Sequence, residues 1–561
     1  MSRCTRLEDL DVHCSPDATI PTSIDRLTLL KRLRLVADVT RLPDTLTSLQ
    51  SLRTLVLNTS KLEALPPDFG NLVSLTSLEL HQSRLASLPE SFGQLTALNR
   101  FSLRNCSTLQ LPACFTKISS LSVLEFRICK ILLPPQVDLG QLGALETLVL
   151  VEVSGMRDLV ADVEHLQRLK TLTIQHCSDI TSLPVSLPIL PALTELNLEM
   201  GQLSALPEEF GQLSVLRSFV LDMMSLTALP DSIALITTLQ ELSLNNLWRL
   251  KILLQEFGQL VSLEKLTLRG LQKLTQLPET FGQLTALREL RFSDCKQLKQ
   301  LPDSLSQLSS LEDLEVYSCP LLTGLPVDMG KGMRSLRHVH LVDCTALTRL
   351  PPSFSELTSL ETLTIRNAKH FRGVLLDGFG CLKRLKELSL DSLPRRSALP
   401  ASFSGVDSLT RLEVGNCPNV TVMPEEIGRL RALEEVRIFG MGALMFLPPS
   451  LLELPCLRSL KLKDSKMNEL GSLSDSISQL SRLQRLKVGS IRYLKALPEA
   501  LGGLAGLRVL QLVNLNSMQQ LSESLGQLKK LETVEISDCF KLMRLPESFV
   551  FLFKLQSYSL V

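Results

Sequence analysis

Apolar residues recur along this chain in the order LxxLxL. The opening leucine of that pattern appears 24 times, from Leu7, Leu30 and Leu52 through Leu287, Leu311 and Leu336 to Leu531 and Leu555. Neighbouring openings lie 22 to 26 residues apart, about 23.8 on average. The fourth and sixth positions alternate with polar residues, the period of a strand buried on one face. A unit of this length holds one such strand, so its apolar edge must be covered by the units on either side. No unrelated segment interrupts the series. The pattern predicts one continuous stack over residues 1–561, not a set of separate globules.

The unit reads clearly in LRELRFSDCKQLKQLPDSLSQLSS, Leu287 to Ser310. Its strands should pair side by side as a parallel sheet on an inner, concave side. With strands roughly 4.8 Å apart, that sheet would run on the order of 115 Å. An LP pair then turns the chain away, because proline cannot donate to a ladder and restricts the residue before it. Pro66, Pro89, Pro207, Pro302 and Pro546 fill this slot. The xxFGQLxxL that follows suits a helical turn or short helix on the outer side. Phe69, Phe92, Phe210, Phe281 and Phe403 occupy its aromatic slot and should form a buried row. Two units are irregular. Leu360 to Leu385 has Leu375-Leu376 in place of LP, and Leu457 to Leu483 carries extra residues in SKMNELGSLSDSIS. No recognisable polar cap precedes Leu7 or follows LQSYSLV, which suggests a longer product or ends covered by another chain.

Eight of the 13 cysteines fall in the ninth position of the unit: Cys106, Cys129, Cys177, Cys295, Cys319, Cys344, Cys417 and Cys539. Elsewhere the slot holds residues such as Leu247, Leu271, Ala368, Met224, Met441 and Ser83. A metal ligand could not be exchanged for leucine in this way, whereas a buried small side chain could. The slot is therefore read as core. Cys4, Cys14, Cys114, Cys381 and Cys456 show no CxxC spacing.

Composition narrows the function further. Basic and acidic residues number 59 and 58, a net charge of +1, so no global field favours nucleic acid or an anionic membrane. No apolar run is long enough to span a bilayer, and the start, MSRCTRLEDLDVHC, lacks an apolar stretch of signal-peptide length. A cytosolic or nuclear setting is expected. No phosphate-binding loop, dinucleotide fingerprint, HExxH, kinase signature or nucleophile elbow occurs. His338 and His340 alternate on one strand and offer a two-histidine metal contact, with Asp343 nearby to help; without a third close ligand they read as solvated surface histidines. No cofactor, metal or small-molecule substrate is expected.

The chemistry should lie on the strand faces. Position five of each unit sits at the strand centre and is mostly polar and variable, while the core positions are monotonous. Arg437, Lys461 and Lys487 occupy it in three consecutive units, with Arg458, Lys463 and Arg485 on the same strands. Like charges on adjacent strands repel, and an acidic partner would relieve them. Glu434, Glu435 and Asp464 stand close enough to compensate part of the run. Tyr317 and Phe439 are the concave-side aromatics and candidate anchors.

The unit LxxLxLxxCxxLxxLPxxFGQL resembles intracellular plant-type leucine-rich repeats. It is similar to the repeat regions of plant nucleotide-binding disease-resistance receptors and of Ras-group leucine-rich-repeat proteins. Secreted plant receptors carry GxIP where this chain has LP. The resemblance covers essentially the whole sequence and implies an α/β leucine-rich-repeat solenoid of horseshoe form. It implies non-catalytic recognition of a protein partner on the concave face, in defence or signal transduction. The nucleotide-binding module of the immune receptors is not in these residues. Two other readings remain: the substrate-recognition part of a ubiquitin ligase or kinase whose catalytic domain lies elsewhere, and a purely structural repeat array.

Overall fold

Each opening leucine is followed, two residues later, by the first residue of a strand. The computed structural model describes residues 6–13, 20–134, 137–156, 163, 165–201, 203–371, 377–393, 403, 405–444, 446–463, 475–491 and 494–560. Cys4, Cys14, Asp464, Leu375-Leu376 and most of the irregular Ser465–Ser478 stretch lie outside them. The chain divides into two compact units, Met1–Leu263 and Glu264–Val561.

In the first unit the strands run from β1 (Asp9–His13) and β2 (Arg32–Val36) to β12 (Glu241–Asn245). Within this unit the strands of neighbouring repeats pair in parallel, as where Leu33 faces Leu10 on one side and Leu55 on the other. The three-residue β6 (Thr108–Gln110) is an addition outside the LxxLxL series. It pairs with the far end of β7 (Val123–Leu132). The second unit repeats the plan from β13 (Lys265–Arg269) to β25 (Ser557–Leu560). There β14 (Glu289–Ser293) sets Leu290 beside Leu314 and Arg291 beside Glu315 of β15 (Asp313–Tyr317).

The alternation decides which side is core. In β15, Leu314 and Val316 are buried, while Asp313, Glu315 and Tyr317 face outward and are half-buried. The opening leucines Leu287, Leu311 and Leu336 are fully buried between neighbouring repeats. Each such leucine contributes ~2 kcal/mol by leaving water. Phe69, Phe92, Phe210, Phe281 and Phe403 are all fully buried. Phe92 stacks between Phe69 and Phe115 at centroid distances of 6.2 and 6.1 Å.

On the outer side the expected helices are single 3-10 turns. Pro302, φ −65°, leads into the turn Asp303–Gln307, where the Leu308 amide donates to the Leu305 carbonyl at 3.1 Å. Among the described residues one such segment is α-helical, α1 (Met329–Gly332). There the repeat is one residue longer than its predecessor, and Met333 N reaches back four residues to Met329 O at 2.9 Å.

Cysteine in the ninth slot behaves as a small apolar residue with a donor. Cys295 and Cys344 are fully buried, and their thiols point at the Leu268 and Val316 carbonyls of the preceding repeats at 3.5 and 3.7 Å. Burial pushes the Cys344 thiol up to about 12, so it stays protonated. Cys539 departs from the expectation and is half-exposed. Met224 also departs. It is 42% exposed and Met223 fills the core instead, because the eighth residue of that repeat is not left-handed.

That exit has a backbone cause. In most repeats the eighth residue is left-handed, with φ of 55° at Asn105, 56° at Asp294, 45° at Asn416 and 54° at Asp538. Asn, Asp and Gly tolerate this region best. The amide of such a residue donates to the seventh residue of the next strand, as Asp294 N does to Tyr317 O at 3.0 Å and Asn105 N to Arg127 O at 2.9 Å.

The outer turns are clipped together by the FG glycine and a serine one repeat on. Ser232 Oγ donates to the Glu208 carbonyl at 2.5 Å and accepts from Gly211 N at 3.0 Å. Ser91 does the same with Pro67 and Gly70, and Ser353 with Val327 and Gly330. The approach is so close that a Cβ on Gly211 would lie 2.1 Å from the Ser232 carbonyl oxygen. Gly211→Ala should therefore destabilise the first unit by ~1–3 kcal/mol and raise amide exchange in the turns Glu208–Gln212 and Asp231–Leu235. Gly143→Ala, where a Cβ meets nothing within 4 Å, should leave both unchanged. Hydrogen-exchange mass spectrometry of the three proteins checks this.

Candidate functional site

The basic run expected on the second unit lies on adjacent strands. These are β20 (Glu435–Phe439), β21 (Ser459–Lys463) and β22 (Arg485–Gly489), with Arg437, Lys461 and Lys487 in one register row. Arg458 stands just before β21, and Lys463 and Arg485 end and begin their strands. The outward face here is the one opposite the leucine core, so side chains at alternate positions meet across strands.

Two of the three central cations are already engaged. Arg437 Nε is 2.8 Å from Glu435, and its Nη1 is 3.6 Å from Glu413 on β19 (Arg411–Gly415). Lys461 Nζ lies 3.1 Å from the same Glu435, and Arg411 reaches it at 2.9 Å. Glu413 also takes Arg366 at 2.7 Å, and Arg458 lies 3.6 Å from Glu434. The carboxylates needed come from positions two, three and five of these repeats and the one before them. Burial opposes the charge on Glu435, but hydrogen bonds from Arg437 and Lys461 outweigh it and hold the carboxyl at about 2. Arg485 is exposed and Lys487 half-buried, and neither has an acidic partner among the described residues. The free positive charge therefore sits one strand beyond the centre of the run.

Phe439 and Tyr317 do not share a site. They lie five strands apart, roughly 24 Å at ordinary strand spacing. Phe439 covers Gly415 so closely that a Cβ there would fall 2.2 Å from the ring. Tyr317 ends β15, where burial and the neighbouring Glu315 raise its phenol above the usual value. His338 and His340 do share the outward face of β16 (His338–Val342). Burial lowers His340, against the pull of Glu315. Asp343 is not beside them as a ligand; it accepts from Asn367 Nδ2 at 2.6 Å. Among the described residues no group of three or more His, Cys, Asp or Glu side chains is arranged to hold a metal, and no helix is long and apolar enough to cross a membrane.

A family model described as a leucine-rich repeat region matches residues 67–187 and 186–415, more than half of the chain. The chain belongs to the leucine-rich-repeat family. No curated protein sequence matches it. Among solved leucine-rich-repeat structures, a plant peptide hormone receptor, RGFR1 in complex with RGF2, aligns with a TM-score of 0.51 at 18% identity, over 96% of this chain and 87% of that one. A TDR receptor gives 0.49 at 19%, over 85% and 86%. The Arabidopsis receptor kinase HAESA, in complex with the peptide hormone IDA and the co-receptor SERK1, gives 0.47 at 20%, over 94% and 86%. At these identities the likeness is one of fold.

In this leucine-rich-repeat protein the network around Glu435 has a pH signature. A carboxyl held near 2 in the folded state and near 4.3 when unfolded stabilises fully above about pH 5 and loses that contribution as pH falls towards 2. Glu435→Gln should lower the unfolding temperature by a few degrees at pH 7, with the difference from the parent closing between about pH 4 and 2. Thermal melts of both proteins across that range check it.

Proposed function

We propose that this leucine-rich-repeat protein recognises a protein partner through the polar outward face of its sheet, without catalysis, in intracellular defence or signal transduction. The observation that carries the reading is the contrast between the two faces. The inward positions repeat the same aliphatic residues, while the outward ones differ from strand to strand in charge and size. A scaffold of fixed register with freely varied side chains suits selective recognition. Arg485 and Lys487, lacking acidic partners among the described residues, supply unspent positive charge beside the Glu435 network, and Phe439 offers an aromatic surface two strands away. These residues fit an acidic segment of the partner. A reducing compartment, the cytosol or nucleus, is supported by the ninth-slot thiols of neighbouring repeats, such as Cys295 and Cys319, which are buried and free.

Charge reversal at Arg485 and Lys487 is the cleaner test, because Arg437 and Lys461 also hold the ion network together. Proximity labelling in the native cell with the full chain should yield a reproducible partner set, and Arg485→Glu with Lys487→Glu should reduce at least one partner roughly tenfold or more. An unchanged set with both charges reversed would remove this patch from the recognition surface.

A further inference from the structure

The outward face of the first unit carries another charge cluster, built around a buried carboxylate. Glu125 on β7 is 8% exposed. It accepts from Arg100 Nη2 at 2.8 Å, Ser102 Oγ at 3.4 Å and Arg104 Nη2 at 3.5 Å, all from β5 (Arg100–Arg104). Glu79 adds a second carboxylate, 3.8 Å from Arg100 Nε. Arg100 is thus held on both sides and Arg104 only at the long limit.

Arg127 is left out of this arrangement. It is the register partner of Arg104 on one side and of Val151 of β8 (Thr147–Ser154) on the other. Its Nε is buried with no hydrogen-bond partner, and no acidic side chain pairs with it among the described residues. Glu152, exposed within β8 and next to the register partner Val151, makes no ion pair with it. A hidden N–H without an acceptor is unfavourable, and two guanidinium groups side by side on adjacent strands repel. A carboxylate placed across both would relieve that repulsion and engage the outer N–H groups of Arg127, since a guanidinium presents a planar fork of donors matched to it.

The neighbouring surface is apolar. Val151 is half-buried on the outward face. Ile128, next to Arg127, is 49% exposed and sits at φ 55°. It is the one β-branched residue in the left-handed region among the described residues, where such a side chain is strained. From midway between β5 and β7 to β8 is one and a half strand spacings, roughly 7 Å. That is the separation of side chains i and i+2 on one face of an extended peptide.

We infer that Arg104 and Arg127 receive a carboxylate side chain from an extended segment of the partner protein, with an apolar residue two positions along seated on Val151 and Ile128. The inference rests on the outward sheet face being a recognition surface, but concerns a different unit and different charges from Arg485 and Lys487.

The test selects a displayed library of linear 12-residue peptides on the immobilised full chain and measures free synthetic peptides by fluorescence anisotropy. Enrichment of an acid-x-apolar pattern is expected. Arg127→Gln should weaken such a peptide roughly tenfold to a hundredfold, and Arg127→Lys should recover part of that. The peptide's own Glu→Gln exchange should cost the same against the parent protein and almost nothing further against Arg127→Gln. Should Arg127→Gln unfold, that exchange reads the same contact with the protein intact. Arg485→Glu with Lys487→Glu should leave this binding unchanged. Selected peptides that lack the pattern, or that bind Arg127→Gln as well as the parent, would overturn the subsite while leaving peptide recognition elsewhere on the sheet standing. No enriched peptide at all would overturn both.

Discussion

The amide at the exit of each strand cannot be satisfied within its own repeat. In most repeats the chain turns left-handed there, and the N–H reaches the next strand instead, as from Asp294 to Tyr317 at 3.0 Å. A buried amide without an acceptor is costly, so every repeat needs a successor set at one register and one distance. That requirement fixes the parallel pairing, and the pairing fixes which residues share a row. The leucine core, the phenylalanine row and the charge rows follow from the same register. Arg437 stands beside Lys461, and Arg104 beside Arg127, because backbone hydrogen bonds hold the strands there rather than because the side chains attract.

The periodic parts of this structure were open to a reading of the sequence because each is fixed by backbone spacing. LxxLxL places a strand two residues after every opening leucine, and the aromatic slot places Phe92 between Phe69 and Phe115. The eighth position was less legible. Its Asn and Asp residues follow no apolar pattern, and only the left-handed backbone explains them. The same feature accounts for Met223 and Met224. A repeat with no left-handed step brings its eighth residue into the core, so counting nine from the opening leucine misplaces the buried methionine. The FG glycines have a cause that lies one repeat away, in the carbonyl of a serine, and a single unit taken alone does not reveal it.

Charge was legible as position but not as state. The row Arg437, Lys461 and Lys487 can be read from the numbering, and Glu435 can be seen to be near. That Glu435 serves Arg437, Lys461 and Arg411 together depends on side-chain reach across three strands, which spacing alone does not give. The unpartnered guanidinium of Arg127 escaped for another reason. It stands at position seven, at the edge of the strand rather than its centre, where Arg104 and Arg127 follow one another at the repeat interval. Isolated basic residues carry no signal in a near-neutral chain; two in one row beside Val151 do.

The serine–glycine clip has a consequence for how such a chain changes in length. One outer turn can carry both halves: Ser91 receives the amide of Gly70 before it, and Gly93 lies under Cys114 after it, where the thiol stands in for the hydroxyl and meets the Glu90 carbonyl at 3.0 Å. A segment of one period, cut anywhere, therefore contains a complete socket and a complete plug. Duplication or loss of whole repeats in the gene would rejoin matching ends, and the recognition surface would gain or lose one row of side chains without a new junction having to evolve.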